Sequence, residues 1–404
     1  MKKLRVGIFL DGFVYPPKEG INVHILELSR FLTTDLKFKV ILIFCNRGWA
    51  KVNELEKESF DSLLLSERKF YDKKFISSII AKLHLDLLQS HSPSYIVQLL
   101  GPLSIEKRLP LLLELHDLEK DIAITLDEPQ EEIDYQNRLQ EESAKYANVI
   151  RIMSRYDWIK FKKEYGKFSK HCVNIPICKN DVEIPFFKPN IKDKNVVFIG
   201  NLSYEPNLNA ARHIIDEISV QCREINFFIV GRNFSNLKSE KNSNVVFTGP
   251  IEDLIPIISK MSIAIAPITE GSGMKLKLLS YLSSGLPVIS TRIGSQGYWR
   301  TNTIIIEDNI KNFPRMIKEN LADKDKLLRM GKDACQYFEH YYSFRKNQIR
   351  LTNLYYDCLK VMAKKKLHSF STFRVKKLKW MSEKRDISKE KIFDYKYVTG
   401  KGKP

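Results

Sequence analysis

The sequence has little of what marks a secreted or membrane-spanning protein. Six cysteines are scattered over 404 residues without C-x-x-C spacing, which is typical of neither a disulfide framework nor a zinc site. The longest apolar runs, such as 109–113 and 263–268, are far shorter than the roughly 20 residues of a membrane-crossing helix. The Met-Lys-Lys start leads into a strand-like run without a small-residue cleavage site. We therefore expect reduced cysteines and a cytoplasmic protein.

A second absence concerns cofactors. A nicotinamide-dependent oxidoreductase needs G-x-G-x-x-G in its first strand-to-helix turn, and Gly7, Gly12 and Gly20 do not have that spacing. The one Asp-x-Asp, Asp323 and Asp325, lies in a lysine-rich helical stretch where solvated side chains are expected. We expect no organic cofactor and no metal requirement.

The patterning of the first half predicts an α/β domain. At 43% apolar content, a chain of 404 residues can form two ordinary cores. An apolar strand at 4–10, a loop with Gly and Pro, a helical pattern at about 23–32 and a strand at 39–44 follow one another, and 94–100 and 111–114 are further predicted strands. Near-continuous apolar strands between helices indicate a parallel sheet covered on both faces.

The second half repeats this layout with five short apolar strands, and Gly200, Gly231, Gly249 and Pro267 lie at the ends of four of them. In such a sheet, ligands bind at the carboxyl ends of the strands. The predicted strands are 196–199, 227–230, 245–247, 263–266 and 288–291, and the predicted helices are 312–318, 324–338 and 343–362. We therefore predict an α/β fold with two doubly wound, Rossmann-like domains. The predicted divisions are 1–178, 179–342, a C-terminal helix at 343–362 and a basic tail at 363–404.

The strongest chemical motif lies where one strand meets a helix. Residues 271–277 read Gly-Ser-Gly-Met-Lys-Leu-Lys and directly precede an apolar helical pattern. Gly271 and Gly273 would let the backbone approach an anion, the helix start adds a positive end, and Lys275 and Lys277 add charge suited to a diphosphate. Alternatively, the glycines form a tight turn and both lysines lie on a solvated face.

Four segments in the same order resemble landmarks of one enzyme family. The motif at 271–279, with Gly-Leu-Pro-Val-Ile-Ser-Thr at 285–291 and Gly-Ser-Gln-Gly at 294–297, resembles the donor-binding segment of group 1 (family 4-like) glycosyltransferases of the GT-B fold. Three further landmarks are similar to 198–207, 228–232 and 246–253. In the first half, the loop 15–20 resembles the family's glycine loop, and 113–117 resembles the segment whose His lines the cleft. The end of the family's first domain is similar to 152–155 and 173–176.

This resemblance implies a GT-B protein whose two Rossmann-like domains face a cleft, with the helix 343–362 returning towards the first. The first domain would hold the acceptor and the second a nucleotide sugar. The reaction implied is metal-independent, retaining transfer from a nucleoside-diphosphate sugar to a glycan or lipid-linked acceptor, in surface polysaccharide or glycolipid assembly. The residues implied are His116 and Glu270 as catalytic groups and, for donor binding, Gly20, Asn201, Gly231, Arg232, Gly271, Ser272, Gly273, Met274, Lys275, Lys277 and Ser280.

The sequence departs from the family pattern at its acids. Many retaining members carry two glutamates with seven residues between them, the first contacting the sugar and the second the nucleotide ribose. Ser272 and Ser280 occupy those two positions, and Glu270 lies two positions before the first. The family's Arg and Lys pair after the strand ending at Asn201 is also missing, so Lys275 and Lys277 would carry the phosphate charge. Arg232 and Arg292 are further candidates for the same task.

Several alternatives stay open at this point. A non-catalytic sugar-nucleotide-binding homologue is favoured by the two serines, and a sugar-nucleotide epimerase has the same two-domain build. His116 could be a core or capping histidine, and His24 is more simply a helix-face residue. Glu114 and Asp117 are further carboxylates near His116 that strand-end solvation would also explain.

The C-terminal tail is the most basic part of the chain. From Lys364 to the end there are 14 Lys or Arg against 4 Asp or Glu, so this tail supplies +10 of the net +18. Its basic residues are interleaved with Phe370, Phe373 and Trp380, a composition suited to an anionic membrane surface at the inner face of the plasma membrane. A disordered solubilising tail is the alternative, and a nucleic-acid partner is not expected.

Overall fold

The computed structural model describes residues 3–12, 15, 20–46, 52–180, 187–232, 237, 242–251, 254–362 and 395–400. Within them the chain forms two compact units. The first unit holds the described residues of Met1–Met153, Asp157–Ile175 and Gln348–Pro404, and the second holds those of Ser154–Tyr156 and Pro176–Asn347. The change of unit after Ile175 lies three residues before the predicted division at 178.

Strands and helices alternate along both units. The strands are β1 (Arg5–Leu10), β2 (Lys39–Cys45), β3 (Asp61–Leu65), β4 (Leu87–Ser90), β5 (Leu111–Leu115), β6 (Val149–Ile152), β7 (Cys172–Asn174), β8 (Asn195–Ile199), β9 (Asn226–Val230), β10 (Val245–Gly249), β11 (Ile263–Ala266), β12 (Val288–Ser290), β13 (Ile304–Ile306) and β14 (Tyr395–Val398). The helices are α1 (Gly20–Thr34), α2 (Val52–Leu55), α3 (Glu67–Phe70), α4 (Lys73–Lys82), α5 (Pro93–Tyr95), α6 (Gly101–Lys107), α7 (Glu119–Thr125), α8 (Gln130–Tyr146), α9 (Arg155–Glu164), α10 (Glu205–His213), α11 (Ile255–Ile258), α12 (Leu276–Ser283), α13 (Phe313–Ala322), α14 (Lys324–Tyr342) and α15 (Phe344–Met362).

The sheet of the first unit has the order β14-β3-β2-β1-β4-β5-β6-β7. All neighbouring pairs are parallel except β14, which is antiparallel to β3. All residues of β3, β4, β5 and β6 are buried, because helices cover both faces of a parallel sheet. The strand order reverses between β1 and β4, which places the carboxyl ends of β4 and β5 where open α/β sheets bind ligands.

The sheet of the second unit is parallel throughout, with the order β10-β9-β8-β11-β12-β13. Its order reverses between β8 and β11, so the loops after Ile199 and Ala266 lie at the corresponding ligand-binding end. Two doubly wound, Rossmann-like units were predicted from the sequence, and this prediction is confirmed.

The segment 94–100, predicted as a strand, is helical. Pro93–Tyr95 form a turn capped by Ser92, whose hydroxyl accepts a hydrogen bond from the Tyr95 amide at 3.3 Å, and a π-helical turn at Ile96–Leu100 continues into α6. The strand of this region is β4, earlier in the chain. A short apolar run fits a buried strand or a buried helix, and the Ser cap with Pro at the helix start favours the helix here.

The last long helix, α15, belongs to the first unit from Gln348 onward. Its side chains Leu351, Tyr355 and Cys358 are buried, and the Tyr355 hydroxyl donates to Gln89 Oε1 at 2.8 Å. Gln89 lies on β4, so the helix is fixed by a buried hydrogen bond to the central sheet.

The predicted tail, 363–404, is not uniform. Residues 395–398 form β14 on the outer edge of the first sheet, and the Tyr397 hydroxyl donates to Asp61 Oδ2 at 2.6 Å. An edge strand offers unpaired backbone groups, so pairing with β14 satisfies that edge of β3. The basic and aromatic residues that suggested a membrane surface, 364–380, lie outside the described residues.

None of the described helices combines the length and the apolar content that a bilayer crossing requires.

Candidate functional site

The glycine–lysine loop (residues 267–277) links the buried strand β11 to α12. Gly271 and Gly273 have φ of +95° and +70°, the left-handed region that only glycine adopts at little cost. Lys275 is the residue before the first turn of α12. The loop therefore turns back over the carboxyl end of β11 and leads its lysines into the helix start.

The two lysines have different partners. Lys275 Nζ donates to the carbonyl oxygens of Ser272 at 2.5 Å and Gly273 at 3.0 Å, so it lies over its own loop. Lys277 Nζ donates to Asn207 Oδ1 at 2.6 Å and lies 4.3 Å from the centre of the Phe198 ring. Burial, followed by the like charge of Lys275, lowers the pKa of Lys277 to about 7. A bound anion would favour its charged form.

Ser280 occupies the position where many members of the family carry a glutamate, and its hydroxyl is in contact with a lysine. Ser280 Oγ accepts a hydrogen bond from Lys179 Nζ at 3.1 Å, and no carboxylate of the described residues forms an ion pair with Lys179. The backbone of Lys179 is fixed because its amide donates to the Tyr342 carbonyl at 2.9 Å. Sequence reasoning missed Lys179, which is 101 residues away from its partner.

Three other predicted site residues, Asn201, Gly231 and Arg232, lie in the loops that follow β8 and β9. A Cβ added at Gly231, where φ is +141°, would lie 2.0 Å from the Gly200 carbonyl oxygen, so only glycine permits this close approach of two strand ends. Asn201 Oδ1 accepts from the amide and the hydroxyl of Ser203, and the Arg232 carbonyl accepts from the Leu202 amide at 2.9 Å.

Met274 and Glu270 are both in contact with neighbouring segments. A Cβ at Gly297 would lie 2.5 Å from Met274 Cγ, so Met274 packs against that glycine. Glu270 Oε1 accepts from Asn209 Nδ2 of α10 at 2.6 Å. The alternative cation Arg292 is exposed and bound to Asp308, with 2.6 Å between Nε and Oδ2. Its charge is thus already matched by a carboxylate.

In the first unit, His116 follows β5 within a cluster of three histidines (His24, His91 and His116). The His91 ring is stacked on His116 with centroids 5.0 Å apart, and His91 Nδ1 lies 2.8 Å from His116 Nε2. The His24 ring meets His116 edge-on at 5.5 Å. His116 is half-buried, and this burial, followed by His91, lowers its pKa well below the ordinary value. His24 and Gly20 lie on the same helix, α1.

A buried ion pair lies beneath this cluster. Glu114 and Arg151 have fully buried side chains, and Arg151 Nη1 donates to Glu114 Oε1 at 2.5 Å. His91 Nε2 lies 3.2 Å from Glu114 Oε2. Glu114 is therefore a buried member of an ion-paired network and not a solvated strand-end acid. His91 and Arg151 were missed from the sequence, since β4 and β6 are short strands whose polar residues break the apolar pattern.

Two other features lie apart from the predicted residues. A cavity of about 460 Å³ in the first unit is lined by Lys120, Asn137, Glu141, Glu164, Tyr165, Gly166 and Lys167. Its lysines are ion-paired to its glutamates, so it offers no unmatched charge. Asp323 caps α14 by accepting from the Lys326 amide at 2.9 Å. Among the described residues, no three His, Cys, Asp or Glu side chains are grouped as metal ligands.

Two doubly wound units of this kind are the units of the GT-B fold, and solved structures with this fold match nearly the whole chain. HepE of Anabaena, in complex with UDP and glucose, matches with a TM-score of 0.66 at 14% identity, over 87% of this chain and 99% of its own. Sucrose-phosphate synthase from Thermosynechococcus elongatus matches with a TM-score of 0.68 at 13% identity, over 88% of this chain and 99% of its own. A glycosyltransferase from Rickettsia africae matches with a TM-score of 0.68 at 14% identity, over 89% and 100%.

The second unit also matches a family model. Residues 193–323 match the family model described as "Glycosyl transferases group 1". The second unit is therefore similar to group 1 glycosyltransferases, as the resemblance in the sequence predicted. No curated protein matches the sequence.

Proposed function

We propose that this chain is a glycosyltransferase that moves a sugar from a nucleoside-diphosphate sugar to a glycan or lipid-linked acceptor, in surface polysaccharide or glycolipid assembly. The observation that carries the proposal is the glycine–lysine loop at the ligand-binding end of the second sheet. Two positive-φ glycines there precede a helix start, and two lysines lie within three residues. HepE, which has the same fold, was solved with UDP and glucose.

The chemistry asked of such a site is mainly electrostatic. When the bond to the sugar breaks, negative charge builds on the departing diphosphate and must be stabilised. Lys277, with a pKa of about 7, gains a proton as anionic charge develops beside it, and the amide groups at the start of α12 add partial positive charge. We propose that these groups act without a metal ion or an organic cofactor. Addition of EDTA should then leave transfer unchanged, and its loss with recovery on Mg²⁺ would contradict this part.

The sugar side of the site is proposed to use Glu270, which Asn209 holds at 2.6 Å. We propose retention of anomeric configuration, and NMR of the first-formed product tests it directly. Replacement of Glu270 by Gln keeps the hydrogen-bonding shape but removes the charge. We expect a lower kcat with donor affinity little changed, and an unaltered kcat would remove Glu270 from the proposed machinery.

The donor proposal is tested by binding and then by turnover. A panel of nucleotide sugars screened by thermal shift should give one or more stabilising donors. The double change Lys275→Ala with Lys277→Ala should weaken that donor by about tenfold or more by calorimetry, because charge-assisted contacts to phosphate are lost. Lys311→Ala, an exposed lysine after β13, is the matched control. Equal affinity of the double variant and the control would overturn the assignment.

A non-catalytic sugar-nucleotide-binding homologue is the second candidate. Ser280 with Lys179 in place of a ribose-binding carboxylate favours it. A donor that binds tightly but shows neither hydrolysis nor transfer with any acceptor would support this candidate over the enzyme.

We also propose that the basic segment 364–380 holds the protein at an anionic membrane surface. Truncation of the tail would remove β14 as well, so the sharper variant replaces Lys364, Lys365, Lys366, Arg374, Lys376, Lys377 and Lys379 by Gln. It should sediment less with phosphatidylserine vesicles than the unchanged chain, and equal sedimentation would contradict the proposal. Vesicles of phosphatidylcholine alone are the control, because each basic residue contributes on the order of 1 kcal/mol only at an anionic surface.

A further inference from the structure

The glycine–lysine loop contains a lysine that binds its own backbone. Lys275 Nζ donates to the carbonyl oxygens of Ser272 at 2.5 Å and Gly273 at 3.0 Å. Gly273 has φ of +70°, a conformation that glycine adopts at little cost and that lets two successive carbonyl groups face one ammonium group. Lys275 therefore differs from Lys277, whose ammonium group donates to Asn207 on α10.

The two hydrogen bonds of Lys275 fix the direction of two backbone amide groups. The carbonyl and the amide of one trans peptide unit point in opposite directions. Since the carbonyl groups of Ser272 and Gly273 face Lys275 Nζ, the amide groups of Gly273 and Met274 face the opposite side of the loop. The ammonium group also polarises both peptide units, because hydrogen bonds in a chain strengthen one another. Both amide groups are thus oriented and strengthened as donors.

The amide groups of Gly273 and Met274 can still take an acceptor. Within the described ranges of the chain, no hydrogen bond uses either of them. Gly273 is buried, and a buried amide group without an acceptor is unfavourable. An anionic oxygen is the acceptor that suits them, since successive backbone amide groups in turns commonly bind anions.

The loop is held in this form at two further points. The Tyr298 hydroxyl donates to the Lys275 carbonyl at 3.0 Å, which fixes the residue before α12. The Met274 side chain packs against Gly297, where an added Cβ would lie 2.5 Å from Met274 Cγ. Donors that are oriented before a ligand arrives need little reorganisation when it binds.

We propose that Lys275 is a positioning residue, which holds the backbone of 272–274 so that the amide groups of Gly273 and Met274 donate to a phosphate oxygen of the bound donor. Lys277 then supplies the direct ammonium contact, and Lys275 acts on the anion through the loop. A diphosphate as the ligand rests on the proposed function. The positioning role concerns anion binding, so it can be tested without a sugar donor.

Nitrogen-15 NMR of methionine-labelled protein tests the contact, with inorganic pyrophosphate as the probe. The chain has 8 methionines, so the Met274 amide is assigned by comparison with a Met274→Leu sample. Saturating pyrophosphate should move the Met274 amide proton of the unchanged protein downfield, because a hydrogen bond to an anionic oxygen deshields it. Pyrophosphate that binds by calorimetry but leaves this resonance in place would overturn the proposal.

Two variants separate a positioning role from a direct charge contact. At saturation with pyrophosphate, Lys275→Leu should lose most of the downfield shift, because the two peptide units are no longer held. Lys277→Leu should bind more weakly but keep the shift at saturation, since its loop is unchanged. A full shift in Lys275→Leu would contradict the positioning role. Lys311→Leu, at an exposed lysine after β13, is the matched control and should keep both affinity and shift.

A third variant separates hydrogen bonding from charge. Lys275→Gln removes the charge but keeps N–H donors for the loop carbonyl groups. Lys275→Leu should weaken pyrophosphate binding by about tenfold by calorimetry, and Lys275→Gln should recover part of this loss. Equal weakening in both variants would show that Lys275 acts by its charge alone. If Lys275→Leu fails to fold, the titration of the unchanged protein remains decisive.

The proposed function fails by a different result. A chain that shows the Met274 shift with pyrophosphate but transfers no sugar from any nucleotide sugar would contradict the transferase and leave the role of Lys275 standing.

Discussion

The histidine cluster and the glycine–lysine loop lie at corresponding ends of two similar sheets, but they differ in whether their buried charges are paired with opposite charges. In the first unit, the buried carboxylate of Glu114 is matched by the Arg151 guanidinium and by the Gln89 amide, which donates to it, and His91 Nε2 lies 3.2 Å from it. In the second, Lys179 meets a serine hydroxyl and Lys277 an amide oxygen. A site with its charges matched internally can orient a neutral group, whereas a site with excess positive charge is suited to an anion.

The largest expected effect is a loss of unfolding free energy when the buried ion pair of Arg151 and Glu114 is broken. Arg151→Met leaves the Glu114 carboxylate buried without its cation, and such a change costs about 3 to 5 kcal/mol of unfolding free energy. Urea unfolding followed by fluorescence measures it. The double variant Arg151→Met with Glu114→Gln removes both charges and should recover a large part of the loss. A loss under about 1 kcal/mol in the single variant would show that the pair is not buried as described.

The second prediction concerns the protonation of Lys277 in the glycine–lysine loop. The unfolded Lys277 keeps its proton up to its ordinary pKa near 10.5, while the folded one loses it near pH 7. The unfolded state thus holds more protons between these values, so this lysine makes the unfolding free energy rise with pH across that window. Lys277→Met should remove that rise, and denaturant unfolding at pH 7 and pH 9 compares the two proteins.

Donor binding should reverse the proton loss. At pH 8 the diphosphate should draw up to about one proton onto Lys277, which calorimetry detects as a binding enthalpy that depends on the ionisation enthalpy of the buffer. Lys277→Met should show no such dependence. An equal buffer dependence in both proteins would place the titrating group elsewhere.

The smallest expected effect comes from placing a carboxylate at position 280, where many members of the family carry a glutamate. Ser280→Glu places a carboxylate beside Lys179 and should stabilise the folded chain by less than about 1 kcal/mol, the usual range for partly exposed ion pairs. Because it lowers the positive charge, it should also weaken binding of inorganic pyrophosphate at low salt. Ser280→Gln is the neutral control. Pyrophosphate binding that is equal in the Glu and Gln variants would show that Lys179 does not act on the anion.

The sequence determined much of the second unit by local pattern alone. Four of the six strands of that sheet, β8 to β11, are short apolar runs that end in or lead into Gly or Pro, and the Gly271 and Gly273 turn needs a backbone conformation that only glycine adopts cheaply. Lys275 and Lys277 follow within the same segment, so the loop and its charge could be predicted together. The particular site residues, including His116 and Glu270, remain predictions until the experiments above are done.

Only the tertiary structure decided which side chains from distant parts of the chain meet. His91 meets His116 across 25 residues, Glu114 meets Arg151 across 37, and Lys179 meets Ser280 across 101. The helical form of 94–100 was decided in the same way, since its apolar run suits either structure until packing selects one. Residue patterns report local backbone preference and the burial of a face, whereas strand order and helix docking determine which distant side chains meet.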